Sequence, residues 1–451
     1  MVTRILILTL WLVTAACGAV FDESSRAAHA MLVRLCDAHG GRATGTTANS
    51  GALEQLAAEL RSLGHEPEFE AFRMRGWERG NDSVAMIAPL ERTLRVAALA
   101  YSEPHEAFEA DVVYVGQGRS EEYPSDAQGR VVLLASSTGL QPREYTRIAA
   151  ERGARGILQI NREGGGQLLA RTGSFIGEPL AVPAYSITQE EGLWMQRLIA
   201  GGAKVRVRME TRSRCVETQS ANLRLTLPGE SPERILVGAH FDSWDLGQGA
   251  VDNGLGIAQL YAIAHALRGR ALRRTVELVW FNGEELGLWG SRHGASRVGD
   301  TPIVAMINLD MVGVPIAVNA LGDASLVAAL VRWNTGRGAL ALERGVENVN
   351  WFGSDHTPYQ LAGVRAITFN APIPRDSVRY YHDMADTIDK LPEQLVVEST
   401  AVIGDLVLAL AHDEELRAFR RDTDATIELF TGPKLDIRMK AIGWWPFREA
   451  E

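Results

Sequence analysis

Cysteine is scarce, with three in 451 residues. That number excludes a disulfide-stapled scaffold, and a core of this size does not need one. Cys36 and Cys215 stand outside the first twenty residues, and the sequence leaves them open to pairing or to remaining buried thiols. Lysine is scarce too. Lys204, Lys390, Lys434 and Lys440 are four of 46 basic residues and the rest are arginine, a bias read as coding and not as chemistry. No run of basic residues occurs, and 56 acidic residues set the formal charge at −10. A nucleic-acid footprint is therefore excluded. Long apolar runs are missing: no stretch reaches ~18 uninterrupted apolar residues, so no transmembrane span is expected. Internal repeats and low-complexity segments are absent as well.

What is present is ordinary globular material, 46% hydrophobic and 23% charged. At roughly 150 residues per domain the length allows about three domains. The first residues, MVTRILILTLWLVTAACGA, carry one positive charge at Arg4, an apolar run from Ile5 to Val13 and small residues after it. This is the pattern of a secretory leader over residues 1–19, cleaved after Ala19, which predicts a secreted or periplasmic protein. The alternative treats TAAC as a poor lipobox and makes Cys17 a lipid-anchored first residue.

The rest reads in blocks. Helical patterns fill Ser24 to about Leu63, and EPEFEAFRMRGWERG then alternates like a pair of strands. Between 110 and 212, short apolar strands (ADVVYVG, RVVLLAS, GILQI, PAYSI, KVRVRME) interleave with two helix-like segments. From Asn222 on, near-continuous apolar strands alternate with helices, which indicates an α/β sheet covered on both faces. The expected domains are 20–109 as the N-terminal part of the main domain, 110–212 as an insert, and 213–451 as the main α/β body.

Functional sites in such sheets sit at the C-terminal ends of the strands. His240 and Asp242 follow ILVGA, and Asp252 comes twelve residues after His240 at a helix start. The next strand ends in Gly283-Glu284-Glu285, the one after it in Asp310, and His382 follows in YYHDMADT. Gathering so many carboxylates is costly unless something positive lies among them, and no lysine is near. Metal cations are the economical answer. Two His and three Asp/Glu suit zinc, with cobalt or manganese as substitutes. Two ions ~3.5–4 Å apart bridged by one Asp would activate water and polarise a carbonyl. Of two adjacent glutamates, one can ligate while the other moves the proton. A carboxylate near His240 would hold its other ring nitrogen, with Asp242 and Asp245 as candidates.

GAHFDSWDLGQGAVDNGLG, WFNGEELGLWGS, INLDMVG, SDHTPYQLAGVRAITF and YHDMADT together resemble the co-catalytic zinc aminopeptidase and glutamate-carboxypeptidase family. The HFDSWDLGQGA stretch is most like its carboxypeptidase Q branch, and the likeness spans residues 222–412. The middle block resembles a protease-associated domain. The resemblance implies a mixed, mostly parallel sheet sandwiched by helices (the phosphorylase/hydrolase-like zinc exopeptidase fold) with a β-rich protease-associated insert. It implies two Zn2+ per chain: one held by His240 and Asp310, the other by Glu285 and His382, with Asp252 bridging. Glu284 would be the general base, and Asp242 the orienter of His240. In relatives the bridging Asp often precedes a second Asp through a non-proline cis peptide; here the next residue is Asn253. The implied reaction is hydrolysis of terminal peptide bonds in short peptides or dipeptides, by a metal-bridging hydroxide, with aminopeptidase, dipeptidase and carboxypeptidase all open.

Substrate-binding candidates are His356, which a core role bonded to backbone suits equally, and Arg375 and Arg379, placed to clamp a carboxylate. Trp444 and Trp445 would cover an exposed patch or an assembly surface, which leaves a homodimer open. Three rivals share parts of the pattern. An aminoacylase-type zinc hydrolase has a longer gap from His to the bridging Asp and a lid after the Glu pair. A single-zinc glutaminyl-cyclase-like acyltransferase would bind one metal. A receptor-like module would have lost the ligands that this chain retains.

Overall fold

The computed structural model of the chain describes residues 2–447, with side chains from Phe21 onward. The leader expected over 1–19, Cys17 included, lies outside the residues whose side chains are described. Strands and helices are numbered along the chain. One mixed sheet has eight strands in the order β1 (Glu68–Glu78), β10 (Arg214–Leu227), β12 (Arg274–Phe281), β11 (Ser231–His240), β13 (Ile303–Asn308), β16 (Ala366–Asn370), β14 (Ala317–Asn319) and β15 (Gly345–Glu347). The centre, β12-β11-β13-β16, is parallel, and β1 and β10 add an antiparallel edge.

The central strands are apolar at nearly every position because both faces are covered. On β11, Ile235, Val237 and Ala239 point into one core, shared with α1 (Val2–His39), α2 (Thr47–Ser62), α5 (Leu255–Leu267) and α10 (Glu393–His412). Leu236 points the other way and joins Val279, Phe281, Met306 and Tyr359 under α6 (Trp289–Ser296) and α8 (His356–Leu361). This alternation of side chains across the strand builds the helix–sheet–helix sandwich. Among the described residues only α10 is long and apolar enough to cross a membrane, and most of its apolar window is buried inside the molecule.

The second sheet also has eight strands: β3 (Arg92–Thr93), β2 (Ser83–Ala88), β9 (Arg206–Thr211), β5 (His105–Tyr114), β6 (Val131–Leu134), β7 (Gly156–Ile160), β8 (Ala184–Ile187) and β4 (Val96–Ala98). Helices α3 (Pro142–Glu151) and α4 (Gln189–Ala200) pack on it. Its core is separate, built from residues such as Val84, Met86, Val132, Leu158 and Val207. The boundary expected at 110 falls inside β5, and the second sheet begins at Ser83. β2 pairs with β9 (Val84↔Met209), a contact across more than a hundred residues that strand pattern alone does not reveal. The segment expected as a strand pair is one strand, β1, which runs antiparallel to β10 from Glu68↔Arg224 to Glu78↔Arg214. Cys36 and Cys215 are both free.

Candidate metal centre

The parallel register brings three strand ends side by side: His240 on β11 lies opposite Phe281 on β12, and Gly238 opposite Asn308 on β13. Phe241 N–H donates to the Phe281 carbonyl at 2.6 Å, so the two chains leave the sheet together. Asp310 follows β13 by two residues and Glu284-Glu285 follow β12 by three. Asp252 sits in a tight turn (Ala250–Gly254) before α5, and its peptide bond to Asn253 is cis. His382 arrives from the far end of the chain with φ 59°.

Two clusters result, and Asp252 belongs to both. Ligand atoms of His240, Asp252 and Asp310 lie within 4.8 Å of one another, as do those of Asp252, Glu285 and His382. Asp252 turns Oδ1 to His240 Nε2 (3.1 Å) and Oδ2 to His382 Nε2 (3.0 Å). Asp310 Oδ1 is 3.5 Å from His240 Nε2, and Glu285 Oε2 is 3.2 Å from His382 Nε2. The five side chains named from the sequence are therefore brought together, with one carboxylate shared between two histidines.

Two observations show that this donor set fits a pair of cations. Each imidazole donates its Nδ1–H to a main-chain carbonyl, His240 to Asp242 (3.0 Å) and His382 to Ala170 (2.9 Å). That fixes the tautomer and leaves Nε2 as a lone pair aimed at the carboxylates. The field also calls for positive charge at those points. Burial pushes His240 and His382 down, yet the carboxylates outweigh it: Asp242, Asp252 and Asp310 hold His240 well above the usual imidazole range. Glu285 and Asp252 hold His382 up at about 10. Burial lifts Glu285 to about 7 against the pull of His382, and its Oε1 is buried with no hydrogen-bond partner. Buried carboxylates need a compensating cation, and an orphaned oxygen needs a ligand.

Asp242 is placed beside the His240 ring, and its carboxylate also reaches the glutamate pair. Its carboxylate is 3.8 Å from His240 Nδ1, and the ring is held by its main-chain carbonyl instead. The carboxylate accepts from the Glu284 N–H (3.1 Å), the Glu285 N–H (3.2 Å) and Thr44 Oγ1 (2.9 Å). It positions the glutamate pair. Asp245, the other candidate, is tied to Arg79 at 2.7 Å. Glu284 is partly open to the cleft. Burial, with Glu285, Asp310 and Asp355 near, holds its carboxyl well above the usual range while His240 opposes them.

The substrate-binding candidates are relocated. His356 is fully buried, its Nε2 is 3.0 Å from the Trp351 carbonyl, and burial pushes its pKa down to about 4. It is a core histidine. The cleft holding Glu284, Glu285 and His382 has a volume of about 390 Å³, and neither Arg375 nor Arg379 lines it; Arg162, Arg171 and Arg438 do. Arg379 lies over the Tyr380 ring, 5.2 Å from its centroid. Trp444 is buried against the inserted unit, donating to the Phe175 carbonyl at 3.0 Å, so it is an internal contact and not an assembly surface.

Sequence reasoning missed several supports. Arg42, fully buried, donates to the carbonyls of Phe241 (3.0 Å), Gln248 (2.6 Å) and Gly249 (2.9 Å), clamping the loop between His240 and Asp252. Asp386 accepts from the Val251 and Asp252 N–H groups (2.8 and 3.0 Å). Tyr381 stacks on the His382 ring with centroids 3.6 Å apart. Asp355, fully buried and lifted by burial to about 7, lies near His240, Asp242 and Asp310. Asp386 and Tyr381 had a signal in the YHDMADT stretch and Asp355 in the SDHTPY stretch, whereas Arg42 had none.

Comparison with known proteins agrees with this arrangement. Residues 222–407 match the model of peptidase family M28. Aminopeptidase YwaD of Bacillus subtilis (strain 168) is 25% identical over 403 residues, covering 86% of this chain and 84% of that one. Carboxypeptidase Q of Homo sapiens is 28% identical over 293 residues, 60% of this chain and 61% of its own. Leucine aminopeptidase 2 of Trichophyton rubrum is 27% identical over 300 residues, 65% of this chain and 59% of its own, so the chain spans about three fifths of these last two relatives. In fold, a peptidase M28 precursor from Shewanella amazonensis SB2B superposes with a TM-score of 0.79 at 21% identity, over 92% of this chain and 99% of that one. A zinc aminopeptidase from Bacillus subtilis gives 0.71 at 21%, over 87% and 96%. Over residues 222–407 the chain is thus similar to peptidase family M28, and the fold and the clustered donors agree with that likeness.

Proposed function

We propose that the protein is a zinc-dependent exopeptidase that hydrolyses terminal peptide bonds of short peptides, exported by the leader at residues 1–19. The shared carboxylate of Asp252, set between two Nε2 atoms, carries the reading. His240 and Asp310 would hold one zinc ion, Glu285 and His382 the other, and Asp252 both. When bound, such a pair polarises a carbonyl and acidifies water. The chain's own residues do the rest. Glu284, off both clusters and lining the cleft, takes the proton from the attacking water and delivers it to the leaving amine. Its raised proton affinity suits a group that must hold a proton between those two events. Asp242 fixes Glu284 through its main-chain N–H, so that the base cannot drift from the reacting atoms. The inserted unit, with the texture of a protease-associated domain, supplies one wall of the cleft through residues such as Asn161, Arg171 and Phe175.

Glu284→Gln tests the base. It keeps shape and should leave two zinc ions bound by elemental analysis, while kcat/KM on dipeptides falls by about 10²- to 10⁴-fold. A variant that keeps most of its turnover would remove Glu284 from the proton path. A single bound zinc with cyclisation of N-terminal glutamine would favour the acyltransferase alternative instead.

A further inference from the structure

A second cavity, of about 430 Å³, lies between α6, α8 and the chain at 443–446. That volume falls within the ordinary range for small-ligand sites, ~300–1,000 Å³. Its walls are largely apolar, with Trp444, Trp445, Pro358 and Leu361 among them. They contain one charged side chain, Arg292, and no Asp or Glu. None of the five candidate metal ligands lines it.

Arg292 is unlike the buried arginines elsewhere in the chain. Arg42 donates to three carbonyls, Arg274 pairs with Glu233 and Arg421 with Asp323. Of the N–H donors of Arg292, one has an acceptor among the described residues: Nη2 donates to the Phe175 carbonyl at 3.0 Å. In place of a carboxylate the guanidinium meets two indoles, with ring centroids 4.8 Å away at Trp444 and 5.6 Å away at Trp289. Ring faces attract the cation but leave its hydrogen-bonding fork unfilled. Burial pushes its pKa down to about 10, as expected of a charge taken out of water without a counter-ion.

A planar fork of donors beside indole walls suits a carboxylate joined to an apolar body. The lack of any acidic side chain in the walls excludes a free amino acid, whose ammonium would be buried unpaired. We propose that this cavity binds a small hydrophobic monocarboxylate without an amino group, of about the size of octanoate, with its carboxylate on Arg292 and its apolar body against Trp444 and Trp445. The site goes beyond the exopeptidase reading and does not rest on it.

The probe is sodium octanoate, titrated calorimetrically into the zinc-loaded protein, with octanol and octylamine for comparison. One saturable site with Kd below about 1 mM is expected. Octanol should bind about 10- to 100-fold more weakly, and octylammonium not measurably. Arg292→Gln should lose about 10- to 100-fold in affinity for octanoate, and Arg292→Lys should keep part of it. Trp445→Ala, which trims the apolar wall, should weaken octanoate by about tenfold. Arg292 also holds the Phe175 carbonyl; should thermal melts show that Arg292→Gln does not fold, the octanol ratio in the wild type and Trp445→Ala decide alone. Octanoate bound equally well by folded Arg292→Gln overturns the proposal. So does octanol bound as tightly as octanoate, which would leave only an apolar cleft. Octanoate binding that disappears when zinc is removed belongs to the metal centre and overturns it too. N-acetyl-leucine bound more tightly than octanoate would assign the cavity to a peptide C-terminus and overturn the free-acid reading.

Discussion

At the scale of residues, chemistry here is decided by what each buried polar group faces. Asp242 and Asp310 are both carboxylates at strand ends, yet one grips main-chain N–H groups and the other faces an imidazole. His356 shows the same rule from the opposite side. It shares its residue type with His240 and His382, but it is fully buried against the Trp351 ring with an orphaned Nδ1, and burial outweighs the Trp351 carbonyl and Asp310, so the neutral ring is favoured. Its folded pKa of about 4 lies below the ~6.5 of an unfolded histidine, so the unfolded chain binds the extra proton. The stabilising contribution is therefore present above about pH 6.5 and lost as pH falls toward 4. We expect thermal melts to drop across that window by an amount approaching about 3 kcal/mol, and the His356 ring to titrate below pH 5 by NMR. A ring titrating near 6.5 would contradict its burial.

At the scale of elements, the inserted unit is more than a wall. Its 167–170 segment is stitched to the chain around His382: Gln167 Nε2 donates to the Arg379 carbonyl, Leu168 N–H to Asp383 Oδ2 (2.6 Å), and Ala170 holds the His382 ring. One cluster thus depends on a loop from another sheet, while His240 is held by its own strand end. Outer contacts of this kind typically govern ~10- to 100-fold in metal affinity. Gln167→Ala should weaken one of two zinc sites by about tenfold and spare the other, which a competitive zinc titration with a chromogenic chelator would show as two separated phases. Equal weakening of both sites would mean that the loop does not act through His382. Element packing is equally specific on the far side of the sheet. A Cβ at Gly404 of α10 would lie 2.4–2.8 Å from the Phe21 ring of α1, so only glycine lets these helices meet there.

At the scale of the whole molecule, the five candidate ligands, drawn from residues 240 to 382, converge only when the sheet is assembled. Metal binding and folding are therefore linked, and an ion that binds only the native state stabilises it by about 4 kcal/mol when free zinc is a thousandfold above Kd. Stripping zinc with a chelator should lower Tm by several degrees, and zinc should restore it in a concentration-dependent way by differential scanning fluorimetry. An unchanged Tm would mean that the clusters do not hold ions in the folded protein.

How much was legible follows from how local each signal is. His240, Asp252, Glu284, Glu285, Asp310 and His382 were readable because each sits just past an apolar strand or in a short motif, and strand ends in α/β sheets face one edge. The sandwich was readable because apolar runs without alternation mean two covered faces. The inserted unit's start at Ser83, the Arg42 clamp and the grip of Asp242 on the glutamate pair were not. Each depends on contacts between segments tens to hundreds of residues apart, and one arginine among many carries no mark of its partner. The sequence alone determined which chemical groups the centre would contain. The tertiary structure alone decided which way each group points, because orientation is set by long-range packing and hydrogen bonds that linear order does not encode.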